Sequence, residues 1–208
     1  MDIEAHTVLD FWFGDITRDR AQGIDDSDPA AWSEHIRRWF RGGPALDQQI
    51  REKFAALHAR ACQTPLRGWI DTPRGLLALV IVLDQFSRNL HRGTPAAFAQ
   101  DETARSLTRI ALDRGDDGVL HWYEKLFLTL PLTHSESVTD QDRAVAYVEE
   151  FLVPSIPSSL AFLAELNLRQ AREHRDTIAR FGRFPQRNLA LGRESSHEEL
   201  EFLGELSR

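Results

Sequence analysis

PRGLLALVIVLDQFSRNLHRG, residues 73–93, runs from an apolar stretch straight into a polar one. Thr72 is placed to cap a helix, and Pro73 suits its first turn, where an N–H would go unbonded anyway. Leu76 to Leu83 is an unbroken run of eight apolar residues. A helix that is apolar all round is packed against protein all round, so the segment predicts a central buried helix. It then turns to Asp84, Gln85, Arg88, Asn89, His91 and Arg92. Polarity this dense at the end of a buried helix either closes a salt-bridge network or opens into a site.

Helical spacing recurs on both sides of this stretch, and no strict alternation marks a strand. Ile3 to about Phe13 reads as a short apolar helix ended by Gly14, and the polar, acidic residues 15–29 read as a loop. Asp28-Pro29 opens a helix with Trp32, Ile36, Trp39 and Phe40 on one face. Gly42-Gly43-Pro44 breaks the chain before a helix from about Ala45 to Ala61, striped by Leu46, Ile50, Phe54, Leu57 and Ala61. Further helices are expected from about Glu102 to Arg114 (Leu107, Ile110 and Ala111 inward), from Val119 to Leu132 ending near Pro131, and from a Thr139-x-x-Asp142 cap to about Leu152. A long helix capped by Ser158 or Ser159 runs to Phe181, Gly182 to Arg193 is irregular, and Ser196-x-x-Glu199 is a capping box for a last helix, Glu198 to Leu206. The expectation is a single all-α domain over residues 1–208, with about eight to ten helices joined by short connectors.

Composition narrows the function. The net charge of −7 argues against nucleic acid as a partner. The longest apolar run is far below the roughly 20 residues that span a bilayer, so no membrane partner is expected. The N-terminal MDIEAHTVLDFWFG does not read as a secretion signal, and a single cysteine, Cys62, suits a reducing cytoplasm. Lys53 and Lys125 are the only lysines, a bias that codon usage explains. No P-loop or dinucleotide fingerprint calls for a cofactor, and no H-E-x-x-H or cysteine cluster calls for a metal.

Several stretches are familiar together: LDQFSRN (83–89), RGTPAAFAQD (92–101), LPLTHSE (130–136), HRDTIARFGRFPQRN (174–188) and LGRES (191–195). In this order they resemble an uncharacterised bacterial family, domain of unknown function 924, essentially from end to end. The resemblance implies a tetratricopeptide-like helical fold and no assigned reaction. This chain departs from the family pattern at Ser87, His91 and Gln186, where proline, an aromatic residue and histidine are usual.

The motifs carry the candidate chemistry. Asp84 and Arg88 are one helical turn apart and can pair; with Asn89 they either close the helix end or present donors to an anion. His134-Ser135-Glu136 is either a turn with Glu136 as a cap or an acid/base pair, since histidine titrates near neutrality. His174 falls on the inward stripe of its helix, as a hydrogen-bonded core residue or a proton carrier. Residues 169–193 hold seven arginines against Glu173 and Asp176, a local charge of +5. Arg183, Arg187 and Arg193 lie in its irregular part, either docking on the acidic 15–28 loop or forming an anion site. RNLxxG occurs twice, at 88–93 and 187–192, a faint sign of repeated helix pairs.

Taken together, these predict one pocket for a small carboxylate or phosphate. Asp84, Arg88, Asn89, Arg183, Arg187, Asn188 and Arg193 would hold the ligand, and His134, His174 and Glu136 would handle protons. The competing readings are a peptide-binding tetratricopeptide-like module, and motifs that only hold helices in register.

Overall fold

A computed structural model of the chain describes residues 2–14, 29–64 and 66–206. Among them every regular element is helical. The residues read as the 15–29 loop lie, Pro29 apart, outside the described residues, as does any docking of arginines on it.

Helix α1 (Ile3–Phe13) is capped by Asp2, whose Oδ1 accepts from the Glu4 N–H at 2.8 Å, and ends at Gly14 in a left-handed turn, φ 64°. Helix α2 is Pro29–Arg41 and α3 is Gly43–Gln63, starting two residues before the expected Ala45. After a single turn, α4 (Arg67–Ile70), comes α5 (Pro73–Ile81), capped by Thr72 as the sequence predicts. Helix α5 does not continue as one α-helix. Val82–Phe86 forms a π-helical turn, followed by α6 (Ser87–Leu90). Ser87 Oγ donates to the Leu83 carbonyl at 2.6 Å and meets His58 Nε2 at 2.8 Å. A proline there, as in the family pattern, would have no N–H for that carbonyl; serine supplies a hydroxyl.

Helices α7 (Asp101–Arg114), α8 (Trp122–Thr133), α9 (Val138–Tyr147, extended by a π turn, Val148–Leu152) and α10 (Ala161–Phe181) follow, then α11 (His197–Leu206). Three local expectations are corrected. α8 starts at Trp122, capped by His121, three residues after the expected Val119, and ends at Thr133, beside the expected Leu132. α9 starts at Val138 with Ser137 at its N-cap, so Thr139 caps nothing. In α7 the buried face is Ala104, Leu107, Thr108 and Ala111, which turns Ile110 outward to 42% exposure. The Ser196–Glu199 capping box is present in both directions: the Ser196 N–H donates to Glu199 Oε2 at 2.7 Å and the Glu199 N–H to Ser196 Oγ at 3.2 Å.

Leu76 to Phe86 are all buried. α5 packs on α1, α7 and α8, and its π turn packs on α3. The core is aromatic where α1, α2 and α8 meet. Trp12 and Phe13 stand edge-on to Phe127 at 5.4 and 5.6 Å, and Trp39 does so at 4.9 Å. Such pairs add about 0.5–1.5 kcal/mol each beyond the area they bury. The Trp12 carbonyl, in the last turn of α1, accepts from Trp39 Nε1 at 2.7 Å and Arg38 Nη1 at 2.9 Å; a helix end buried without such donors would be costly. Phe40, expected on the same buried face, is 52% exposed. One face of its ring stacks on Phe127.

Gly75, in the first turn of α5, tests how tightly this helix is seated. A Cβ there would stand 2.4 Å from the Trp69 carbonyl oxygen and 2.7 Å from Thr72 Oγ1. Alanine gains roughly 1 kcal/mol in helix propensity, but overpacking against backbone costs about 1–3 kcal/mol. Gly75→Ala is therefore expected to lower the urea unfolding midpoint; an unchanged or raised midpoint would refute the tight seating.

Candidate functional site

The π turn sets Asp84 at the buried end of the central helix, where its side chain is 1% exposed. A carboxylate so placed needs donors on each oxygen. Oδ1 accepts from His134 Nδ1 at 2.9 Å and lies 2.9 Å from Arg88 Nη1, and Oδ2 accepts from Gln85 Nε2 at 2.6 Å. Burial alone would raise its pKa, but Arg88 and His134 outweigh that and hold it well below the ordinary carboxylate range. Because Asp84 stays ionised, the shared proton sits on His134 Nδ1.

Arg88 reaches onward. Its Nη2 donates to Asp101 Oδ2 at 3.1 Å, and Nη1 lies 3.0 Å from Asp101 Oδ1. Arg187, from the 3-10 turn Pro185–Arg187, meets the same carboxylate: its Nη1 donates to Asp101 Oδ2 at 3.2 Å and its Nη2 to the His134 carbonyl at 2.8 Å. Its guanidinium lies between the rings of Phe98 and Phe184, 4.8 and 4.7 Å from their centroids. Of the residues read from the sequence, Asp84, Arg88, His134 and Arg187 are thus brought together. Asp101, which joins them, was not singled out; its place in the RGTPAAFAQD motif was the available signal.

The remaining candidates sit elsewhere. Glu136 orients neither histidine. It accepts from Arg193 through Nη1 at 2.7 Å and Nη2 at 3.0 Å, and from the Phe184 N–H at 2.9 Å. Arg183 pairs with Glu199, its Nε donating at 2.7 Å, and Asn188 Nδ2 donates to Ser195 Oγ and to Glu199 Oε2, fastening α11. Those contacts, Arg183 first, hold Glu199 at a pKa of about 2. Asn89 Nδ2 donates to Asp47 on α3 at 2.7 Å, and Arg92 grips the same carboxylate from Nε at 2.8 Å and Nη2 at 2.7 Å. His174 Nδ1 faces the Thr133 carbonyl at 3.2 Å, and burial, with His134 nearby, lowers its pKa to about 4. On the surface Arg180 pairs with Glu198.

A cavity of about 320 Å³ opens at the end of the central helix. Gln85, Arg88, Asn89 and Arg92 line one side, with Leu130 and His134 of the α8 end beside them. The other side is Trp39, Phe40, Arg41, Gly42 and Gly43, a segment that reads in the sequence only as a chain break. Gly42 is required there, because a Cβ would stand 2.5 Å from the Arg38 carbonyl and 2.6 Å from the Leu46 side chain. The His134 imidazole is 18% exposed, and among the described residues its Nε2 has no partner. Burial and the positive charge of Arg88 keep it neutral, with its pKa below the ordinary 6.5. The result is a carboxylate-oriented imidazole with a free basic nitrogen at a cavity, an arrangement suited to accepting or donating a proton.

Two expected outcomes test this geometry. Removing one partner of a buried ion pair costs about 3–5 kcal/mol, so Asp84→Asn should show a loss of that size in denaturant titration. His174 binds a proton near pH 6.5 when unfolded but only near pH 4 when folded. The unfolded state therefore holds more protons in this window, and stability falls as pH drops from about 6.5 to about 4, by about 3 kcal/mol at most. His174→Gln should flatten that part of the stability–pH curve, and an unchanged slope would contradict the assignment.

Residues 8–206 match the family described as bacterial protein of unknown function (DUF924). A solved structure of a protein of unknown function, ATU0120 from Agrobacterium tumefaciens, is similar at 34% identity and a TM-score of 0.76, over 97% of each chain. No curated protein matches. With the motifs in order and the match spanning nearly its whole length, the chain belongs to the DUF924 family.

Proposed function

We propose that the cavity at the end of the central helix binds a small anionic ligand, a carboxylate or a phosphate, in the cytoplasm. The observation that carries this is the lining: among the described residues it holds three arginines, Arg41, Arg88 and Arg92, and no carboxylate. Behind two of them stand carboxylates that hold them in place, Asp47 on Arg92 and Asp84 and Asp101 on Arg88. The N-terminus of α3, a helix of 21 residues whose N-cap Gly42 makes no side-chain capping bond, adds its positive end at Gly43. Trp39, Phe40 and Leu130 supply apolar surface for the rest of the ligand. His134 Nε2 equips the same cavity for acid/base chemistry.

The peptide-groove alternative calls for an open groove lined by exposed aromatics and asparagines, and Phe40, half exposed at the cavity wall, meets the first of these. Asn89 and Asn188 are instead buried, each on a carboxylate partner, which favours the small-anion reading. That ligand set differs from the single pocket expected from the sequence. Arg88, Asn89 and His134 belong to it, Arg187 bonds the His134 carbonyl, and Arg183, Asn188 and Arg193 pair with Glu199 and Glu136 elsewhere.

Arg41 gives the cleanest test, since it is exposed and makes no hydrogen bond or ion pair with the described residues. A thermal-shift screen of phosphorylated and carboxylated metabolites should find a compound that stabilises the parent chain. At a hundredfold excess over Kd the gain is about 2.7 kcal/mol, roughly 5–10 °C in Tm for a chain of this size. Arg41→Ala should keep the ligand-free Tm and give a measurably smaller shift. A screen without hits, or an Arg41→Ala protein that responds like the parent, would overturn the reading.

A further inference from the structure

The free nitrogen of His134 has a consequence for what can enter the cavity. In the ligand-free protein, Nε2 presents a lone pair to a space lined by guanidinium groups, and Nδ1–H is held by Asp84. A lone pair facing a bound oxyanion is repulsive, whereas the same nitrogen carrying a proton makes a charge-assisted hydrogen bond. We propose that an oxyanion bound in this cavity is met by a protonated His134 Nε2, so that the ligand enters together with one proton from solvent. This rests on the anion-binding reading and adds its coupling: Nδ1–H stays on Asp84, the incoming proton forms the Nε2–H bond, and the ligand's negative charge offsets the imidazolium.

Burial is the largest influence against the imidazolium, and charged groups facing the ring add to it or oppose it. Asp84, behind Nδ1, favours the imidazolium. Arg88 from the central helix, Arg187 from the Pro185–Arg187 turn and His174 from α10 oppose it, and Asp101 on α7 partly neutralises the two arginines. Arg41 and Arg92 line the same cavity, so an anion held there lies among cations on more than one side. Burial and these cations leave His134 neutral without an anion, and a bound oxyanion offsets the cations' part of that opposition.

Sulfate is the appropriate probe, because it is a dianion throughout the neutral and mildly acidic range and its own protonation cannot mimic the effect. Sulfate would be titrated into the full chain from about pH 8 to about pH 5, following Arg41, Arg88 and Arg92 side-chain N–H signals and the His134 ring nitrogens by NMR. The expected result is a Kd that falls as pH falls, by up to about tenfold per pH unit between the free and bound pKa values of His134. Nε2 should become protonated on sulfate addition at a pH where it is bare in the free protein. His134→Gln, if folded, should bind sulfate with no pH dependence; if it does not fold, the Nε2 signal of the parent decides alone. Arginine signals that respond equally at every pH while Nε2 stays bare would overturn the proton coupling and leave the anion site standing. Arginine signals that do not respond to sulfate at any pH would overturn both.

Discussion

A single carboxylate, Asp84, cannot sit where it does without the rest of the polar framework. Burying an ionised group costs several kcal/mol unless its charge and lone pairs are matched. Arg88, His134 and Gln85 supply the match at 2.6–2.9 Å. Arg88 is then partly buried itself and takes Asp101 as a second partner; Asp101 takes Arg187; and Arg187 bonds the carbonyl of His134, closing the circuit. Two carboxylates and two guanidiniums leave no net charge in the network. The central helix, α7, the end of α8 and the irregular segment after α10 are thereby tied together by polar contacts at one end of an otherwise aromatic and aliphatic core. Phe98 lies beneath both guanidiniums, 5.7 Å from Arg88 and 4.8 Å from Arg187, where its ring face attracts cations.

What could be read in the sequence was what is local. Helical stripes such as Leu46, Ile50, Phe54, Leu57 and Ala61 depend on residues three and four apart, and all five are buried as expected. The Thr72 and Ser196 caps are equally local. The π turn was not legible, because it differs from an α-helix by one residue of register and the apolar run around it is uniform. Ion-pair partners were illegible for a different reason: Asp101 is 13 residues from Arg88 and 86 from Arg187. The excess of arginine over residues 169–193 misled in the same way. Counted along the chain it is a positive patch, but Glu136, Asp142, Glu149, Glu198 and Glu199 come from other elements or later sequence to meet it. Arg41, Gly42 and Gly43 drew no functional reading, since a glycine pair before a proline has a sufficient local explanation as a break.

The RNLxxG echo acquires physical content. In both copies the arginine, Arg88 or Arg187, donates to Asp101. In both the asparagine, Asn89 or Asn188, donates to a buried carboxylate on another helix, Asp47 or Glu199. In both the glycine, Gly93 or Gly192, takes a left-handed φ, 77° or 64°, a conformation that a Cβ penalises. The leucines differ: Leu90 packs against the core, while Leu189 is 95% exposed. The shared letters therefore encode a shared device, a chain reversal that clamps one helix by its asparagine and the central carboxylate by its arginine. The two copies approach Asp101 from opposite directions along the chain.

The same division of labour explains why arginines already engaged in ion pairs can still serve a ligand. A guanidinium has five N–H donors in a rigid plane. Arg88 uses its Nη1 and Nη2 on Asp84 and Asp101, and Arg92 uses Nε and Nη2 on Asp47. Arg88 Nε and Arg92 Nη1 have no hydrogen-bond partner among the described residues. The carboxylates behind thus do not compete for the whole side chain; they fix its rotamer. An anion entering the cavity would not have to order these two side chains from solvent, and each immobilised long side chain spared is worth about 0.5–1.5 kcal/mol of binding free energy. Arg41, exposed and with no ion pair among the described residues, lacks that preparation. It contributes charge rather than geometry, so affinity should come chiefly from the prepared wall, with Arg41 supplying the charge that favours entry of an anion over a neutral molecule.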